Sequence, residues 1–474
     1  MTLFKKRETI DKSELMFSGK ALVKMMIPLM LQQMLNMTVG MINSIMVSNA
    51  GDAAVSAVSL IGTMDGVLIL FFTALVTGGS VVISQAIGKG DAKSISDATK
   101  QLLYSSTLMA CLLTTVVLTF RTPLLNLLFG SVEEAVMTSA HDYFIPIALT
   151  FPLLAITESV HAGFRAEGKT FISLIVSLAT NILNIVGNLI FVIALEMGAR
   201  GAALSTACMR LIATVVLLAL IHDKRRVVHV EHLLHYKPDF KAIRKILHIG
   251  VPYGVEQTLF QFGRLLTTTL IAMLPTAMIA AQSVALNLAN YQYAVNTAFC
   301  CAAIPIVGRC IGAGREDQAK YYSRLLVKLE YVMMWAVILV TVVFLRPLLS
   351  TYDVSATAKD VAYWLVISHS AVVALIYPLG FFYPAVFRAA SDVRFCMVVS
   401  IASMWLVRIA FAYVLALETV SVMGLFSFPG FGMGIWGVWL AMMLDWVVRT
   451  VLYTVRFVTD KWLRVGKKLR GNEA

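Results

Sequence analysis

Ser84-Gln85-Ala86-Ile87-Gly88-Lys89-Gly90-Asp91 decides how this chain is read, because 224 positions later Gly308-Arg309-Cys310-Ile311-Gly312-Ala313-Gly314 repeats its pattern. The same offset lays Ile27-Pro28 on Val251-Pro252 and Gln33 on Gln257. At an offset of 223, Phe164-Arg165-Ala166 meets Phe387-Arg388-Ala389, and Val176-Ser177-Leu178-Ala179 meets Val399-Ser400-Ile401-Ala402. Further on, Gly198 and Gly201 answer Gly434 and Gly437. Small residues recur in any helical membrane protein, but one offset held over widely separated motifs marks a duplication. The chain is two homologous halves.

What lies between the repeated motifs is apolar. Of 474 residues, 59% are hydrophobic and only 14% are charged, with a mean hydropathy of +0.80. A solvated globule carries no such surplus, so it faces lipid. Runs of about 20 apolar residues, enough to span a bilayer as helix, fall near 22–47, 57–86, 102–120, 143–163, 171–195, 201–221, 249–273, 277–307, 329–346, 361–386, 395–417 and 435–457. The expectation is an all-α polytopic membrane protein with twelve transmembrane helices in two pseudo-symmetric six-helix bundles. Its parts are an N-terminal segment 1–21, an N-lobe 22–221, a basic linker 222–248, a C-lobe 249–457 and a basic tail 458–474. Six spans per half put corresponding loops on one side, so the halves are parallel repeats about an axis along the membrane normal, a geometry suited to alternating access.

Charge assigns the sides. An even number of crossings puts both termini and the linker together, and that side holds 31 of the 39 Lys and Arg residues. The opposite side has only Arg121, Arg200, Arg346 and Lys359, while Arg210, Arg264, Arg408 and Arg449 fall inside spans. The positive-inside rule makes the termini cytoplasmic and the location the cytoplasmic membrane. It also accounts for the net charge of +12 without nucleic acid as a partner. The tail from Lys461 to Arg470 is expected against anionic lipid. Residues 1–20 are polar and lack an apolar core before a small-residue cleavage site, so no signal peptide is expected.

Other chemistries find no support. The six cysteines (Cys111, Cys208, Cys300, Cys301, Cys310, Cys396) form no CxxC and read as reduced packing residues. No metal site is expected: His232-Leu233-Leu234-His235 has no adjacent acid and reads as solvated. Gly88-Lys89-Gly90 lacks the spacing and the Ser/Thr of a nucleotide-binding loop, which argues against an ATP-driven pump. No catalytic constellation suggests an enzyme, and no cofactor is expected beyond a coupling ion.

Pro28 and Pro252, the two glycine-rich loops and the Phe-Arg-Ala entries at Arg165 and Arg388 together resemble the multidrug and toxic compound extrusion (MATE) family of secondary transporters, over nearly the whole chain. The resemblance implies a V-shaped cleft between the bundles and a monomeric antiporter, exporting cationic or amphiphilic organic compounds in exchange for H⁺ or Na⁺. Lipid-linked oligosaccharide flippases of the wider superfamily share the two-bundle design. Their cationic cavity is hinted at here only by Arg264 and Arg408. A plain channel ranks third.

Ionisable side chains inside a span cost at least ~2.5–3.5 kcal/mol on insertion scales and need a partner, a wet cavity or a function. The acids noted are Asp65, Glu158, Glu256 and Asp445. Glu256 lies one turn after Pro252, with Gln257 and Gln261 on a kinkable helix, and is expected to point into the interlobe cavity as the substrate or coupling-ion ligand. The resemblance places it at the acidic position that one branch uses in its C-lobe. Asp65 is a second cavity-facing candidate. Asp445 and Arg449, at i and i+4, suit an internal salt bridge that Arg408 can extend, and Glu158, His161 and Arg165 form a helix-end or gating stripe. The sequence departs from the resemblance in the N-lobe, where Asn43 and Asn188 stand in place of two aspartates. With Asn181 and Asn184 they leave amides able to hydrogen-bond a substrate but unable to take up a proton. In the C-lobe, the branch's second acid, in the tenth span, is replaced by Ile376 and Tyr377. Gln33 and Tyr291 complete the candidate substrate-contact set, Tyr291 with Tyr293, Phe260 and Phe262 as an aromatic surface for flat cations.

Overall fold

Pro28 and Pro252 each sit inside a helix without ending it. Proline has no N–H to give the carbonyl four residues back. In the first half the Thr170 hydroxyl stands in, donating to the Met25 carbonyl at 3.0 Å and lying 3.5 Å from that of Lys24. The structure is a computed structural model that describes residues 14–48, 51–130, 132–230, 238–422 and 426–465. His232 to His235 and the tail beyond residue 465 lie outside the described residues.

The first half comprises α1 (Gly19–Ser48), α2 (Asp52–Lys89), α3 (Ala92–Thr119), the short α4 (Arg121–Phe129), α5 (Glu134–Leu149), α6 (Phe151–Glu167), α7 (Thr170–Asn188) and α8 (Gly198–Ile221). The second comprises α9 (Phe240–Ala272), α10 (Thr276–Gly312), α11 (Glu316–Val343), the short α12 (Leu345–Ser350), α13 (Ala356–Ala389), α14 (Val393–Ala402), α15 (Ala410–Ala416) and α16 (Ile435–Val458). π-helical segments extend the fifth span of each half: Leu189–Ala194 follows α7 and Ser403–Ile409 joins α14 to α15. Ten helices among the described residues are long and apolar enough to cross a bilayer, and α5 with α6, bent by 47°, makes eleven. The twelfth is α9, 33 residues long and more polar, since it carries Lys241, Arg244, Lys245, Glu256 and Arg264.

Three local features depart from expectation. A two-stranded antiparallel hairpin, β1 (Thr419–Val422) with β2 (Phe426–Pro429), interrupts the all-α pattern between α15 and α16. Helix α3 starts at Ala92 rather than 102, with Asp91 capping it by accepting from the Lys93 and Ser94 amides at 3.1 and 3.2 Å. Helix α11 starts at Glu316 rather than 329. Lys93 and Lys100 in α3, and Lys320, Arg324 and Lys328 in α11, look like loop in a hydropathy reading but continue the helix.

The duplication is visible in the packing. Helix α1 lies on α7 as α9 lies on α14; α2 lies on α5 and α6 as α10 lies on α13; α7 lies on α8 as α15 lies on α16. Between lobes, α1 crosses to α10, α9 crosses to α2, and α2 meets its own counterpart α10.

These interlobe contacts concentrate on the side that carries the linker. There the two glycine-rich loops meet: a Cβ on Gly88 would strike the Arg309 carbonyl, and one on Gly312 would strike the Gln85 carbonyl. Gly308 fits against Ser84, and Gly78 against the backbone of Ile246 and Gly250. Glycine lets helix backbones approach this closely. Around the crossing, Gln85 Nε2 donates to the Ala389 carbonyl at 2.8 Å, and Arg309 Nε donates to the Ala166 carbonyl at 2.9 Å. Gln85 and Arg309 are 224 apart and Ala166 and Ala389 are 223 apart, so the two bonds are one contact made twice. The glycine loop of each half clasps the Phe-Arg-Ala corner of the other. Outside it, the chain before α1 reaches across to α11: the Glu14 carbonyl accepts from Arg315 and Gln318, both at 2.8 Å, and the Phe17 amide donates to Tyr322 Oη at 2.8 Å.

The clasp predicts the effect of bulk at its centre. With the six native cysteines replaced, a Gln85→Cys, Ala389→Cys pair should cross-link readily with a short reagent, and adding Gly88→Leu should reduce the yield several-fold while the protein still inserts. An unchanged yield would place the crossing elsewhere.

Candidate functional site

The C-lobe interior holds a continuous polar network that joins residues expected to act separately. Glu256 on α9 is 5% exposed. Its Oε1 accepts from Ser400 Oγ on α14 at 2.8 Å, and its Oε2 lies 3.8 Å from Arg388 Nη1 on α13. The Arg388 guanidinium stacks 4.3 Å above the Tyr253 ring. The Ser400 hydroxyl lies 2.9 Å from Tyr453 Oη, and the Ser400 carbonyl accepts from Arg449 Nη2 at 2.9 Å. Arg449 Nε in turn donates to Asp445 Oδ1 at 2.8 Å, so the i, i+4 bridge exists but is one end of the Glu256 network. Glu256 is thus held to α13 and α14 of its own lobe, through Arg388 and Ser400. Arg408 lies on the π-helical segment with its Nε buried and makes no ion pair with Asp445.

The N-lobe repeats this contact without charge. Gln32 is the counterpart of Glu256 and Ser177 of Ser400, and Gln32 Nε2 donates to Ser177 Oγ at 2.8 Å. The same seam continues outward, where Asn181 Nδ2 lies 3.5 Å from Asn36 Oδ1 and Asn188 Nδ2 donates to Asn43 Oδ1 at 3.0 Å. Asn184 turns instead to α8, donating to Ser205 and Thr206. Asn184 and Asn188 are 3% and 2% exposed, so these amides join helices and do not line an open surface. The sequence carried this signal, since polar residues at 32, 36 and 43 and at 177, 181 and 188 share one spacing on two parallel helices.

Asp65 is also turned inward. Its Oδ2 accepts from Arg210 Nη2 on α8 at 2.9 Å, and Arg210 Nη1 donates to Thr150 Oγ1 at 2.8 Å. Arg165 pairs with Glu158 on its own helix at 3.8 Å, beside the buried His161. Gln33, Gln257 and Gln261 are half-buried and Tyr291 is 44% exposed. Tyr293 instead enters an aromatic cluster, stacked on Tyr377 at 5.2 Å and set edge-on to Trp446 at 6.3 Å.

Hydropathy places Arg210 within a span without giving it a partner, and Glu330, 0% exposed at the middle of α11, lies at the edge of the expected ninth span. It was legible as a lone acid beside the apolar run that follows Leu329.

Known proteins agree with this architecture. The MatE family model matches residues 28–190 and again 252–414, two segments offset by the same 224 positions as the sequence motifs. The uncharacterized transporter YisQ of Bacillus subtilis is 24% identical over 93% of this chain and 94% of that protein. The probable multidrug resistance protein NorM of Thermotoga maritima is 24% identical over 96% and 95%. A solved structure of a multidrug resistance MATE family transporter in an outward-facing conformation superimposes with a TM-score of 0.83 at 18% identity, covering 95% of this chain and 96% of that one. The duplicated helices, the paired glycine loops and the matched family model together place this chain in the MatE family of multi-pass membrane transporters.

Proposed function

We infer that the chain is a cation-coupled antiporter that exports organic cations or amphiphilic compounds by alternating access, as a monomer in the cytoplasmic membrane with its termini and linker in the cytoplasm. The observation that carries this reading is the clasp: two equivalent bonds and a glycine crossing close the lobes on the linker side, where the positive-inside rule puts the cytoplasm. A contact made twice about a two-fold axis is either whole or lost when one rigid lobe rocks against the other. It thus divides the protein into two states with access to opposite sides. The relatives described as multidrug resistance proteins support the substrate class. The coupling ion is H⁺ or Na⁺, exchanged at a site that ion and substrate do not occupy together.

The intramembrane pairs bear on where that exchange takes place. Glu256 faces Arg388 inside the C-lobe, so its charge is offset whichever way the lobes lean. Removing the arginine alone leaves a buried carboxylate without its cation, which costs about 3–5 kcal/mol in comparable pairs. Removing the carboxylate alone lets an amide bond Ser400 as Gln32 bonds Ser177, but it leaves the Arg388 guanidinium buried without its anion.

Everted vesicles test the function: a dye cation should accumulate under an imposed H⁺ or Na⁺ gradient and stay out when the gradient is collapsed. Gradient-independent movement of a lipid-linked sugar, with no dye uptake, would favour the flippase. Reporter fusions at His222 and Gly312 should read cytoplasmic and one at Lys359 external; the reverse would overturn the orientation. In thermal unfolding of the purified protein, Arg388→Gln and Glu256→Gln should each destabilise, because each leaves a buried charge unpaired, and the double variant should recover much of the loss. Additive losses would show that the two side chains do not interact. Asn43→Asp with Asn188→Asp should place two carboxylates within hydrogen-bond distance, sharing a proton. The double variant should therefore lose stability relative to wild type as the pH is raised.

A further inference from the structure

The acids of the candidate spans each face an arginine, with Glu330 as the exception. Asp65 meets Arg210, Glu158 meets Arg165, Glu256 meets Arg388 and Asp445 meets Arg449. Glu330 is fully buried at the middle of α11. Its Oε1 accepts from Asn296 Nδ2 on α10 at 2.6 Å, its Oε2 is buried with no hydrogen-bond partner, and it makes no ion pair among the described residues. The titratable groups around it are Cys300 on α10, Tyr377 on α13 and Tyr331 beside it on α11.

Glu330 does not stand alone. A stripe of polar side chains at i, i+4 and i+8 runs down α10, namely Gln292, Asn296 and Cys300, apart from the Glu256 network of the same lobe. Gln292 donates to Ser370 at 2.8 Å, Cys300 Sγ lies 3.5 Å from Asn296 Oδ1, and next to Gln292 the Tyr293 hydroxyl meets His369 Nε2 at 2.7 Å. Three buried polar atoms along this seam have no partner: Gln292 Oε1, His369 Nδ1 and Glu330 Oε2. The N-lobe has no equivalent. By the 224 offset the counterparts of Glu330 and Asn296 are Ser106 and Phe72, and Ser106 is bonded to Ser159 at 2.7 Å. The carboxyl is thus a feature of the C-lobe alone, set on a polar seam.

We propose that Glu330, held by Asn296, is a proton-binding site of the C-lobe, and that its carboxyl carries the ion exchanged for substrate. Resting on the antiport reading above, this names H⁺ as the ion and moves the exchange from Glu256 to a different helix. One carboxyl, one amide and one thiol suit a proton. They do not supply the several oxygens that a sodium ion requires. Protonation balances simply: a proton from water bonds to Oε2, leaving the carboxyl neutral, and returns to water when the lobe reorganises around substrate.

The test uses the full chain in liposomes and in detergent, with a dye cation as probe. Wild type should release a proton when the dye binds, and a pH gradient should drive dye accumulation. Glu330→Gln, which mimics the protonated carboxyl, should abolish both the release and the pH dependence of dye affinity, and should melt no lower than wild type as the pH is raised. Glu330→Asp should restore release. If the Gln variant does not fold, Asn296→Ser keeps the carboxyl, removes its donor and should shift the pH at which the proton leaves. Proton release by Glu330→Gln equal to wild type, or an Asn296→Ser profile that superimposes on wild type, would overturn the assignment. Wild-type transport driven by sodium without proton release would also overturn it, and would leave the antiport reading standing. Absence of any dye transport by wild type would instead remove the antiport reading.

Discussion

The approach of two helix backbones at Gly88 and Gly312 is the constraint on which the rest of the molecule depends. Any side chain at either position would wedge α2 from α10. Without that crossing, Gln85 and Arg309 cannot reach the carbonyls of Ala389 and Ala166, and the first helix of each half loses its bed on the opposite lobe. The seal holds few bonds because glycine lets flat backbone surfaces supply van der Waals contact in place of side-chain interlocking. A seal of this kind can release as a unit, since it has no deep interdigitation to unravel.

Charge within the lobes follows the same economy. In the N-lobe, Arg165 is neutralised by an acid on its own helix, while its counterpart Arg388 is neutralised by Glu256 from another helix. The two halves share the arginine and differ in which helix supplies its carboxylate. At the position of Glu256 the N-lobe carries Gln32, and each bonds the equivalent serine, Gln32 donating to Ser177 and Glu256 accepting from Ser400. The helix-joining contact is common to both halves, and the charge is not.

Much of this was legible in the sequence. Repeated motifs at one offset fixed the duplication, and hydropathy fixed nearly every span, because both are properties of residues near one another along the chain. Helix ends at Ala92 and Glu316 were missed because hydropathy measures immersion in lipid, and charged turns of a continuing helix look like loop to it. Partners were harder. Asp65 and Arg210, or Glu256 and Arg388, lie on helices whose adjacency is a matter of bundle packing, which hydropathy does not encode. Glu256 was expected to face the cleft on the strength of its neighbour Pro252, yet its direction is set by Ser400 on α14. The matching spacing of polar residues on α1 and α7 is a lateral signal that the expectation of substrate-binding amides passed over, and it agrees with the asparagines meeting each other.

The linker-side half of α1 belongs to the core of the opposite lobe, where Met25, Met26 and Leu29 are buried together with Phe299, Tyr322 and Trp446. The Phe17 amide finds its acceptor 305 positions further along the chain. During synthesis α1 can pack on α7 early, but the face it gives to the opposite lobe faces lipid until α10, α11 and α16 have been made. That face is made of methionine and leucine, residues that bilayer and protein interior solvate about equally well, so exposing it to lipid before its partner forms carries little penalty.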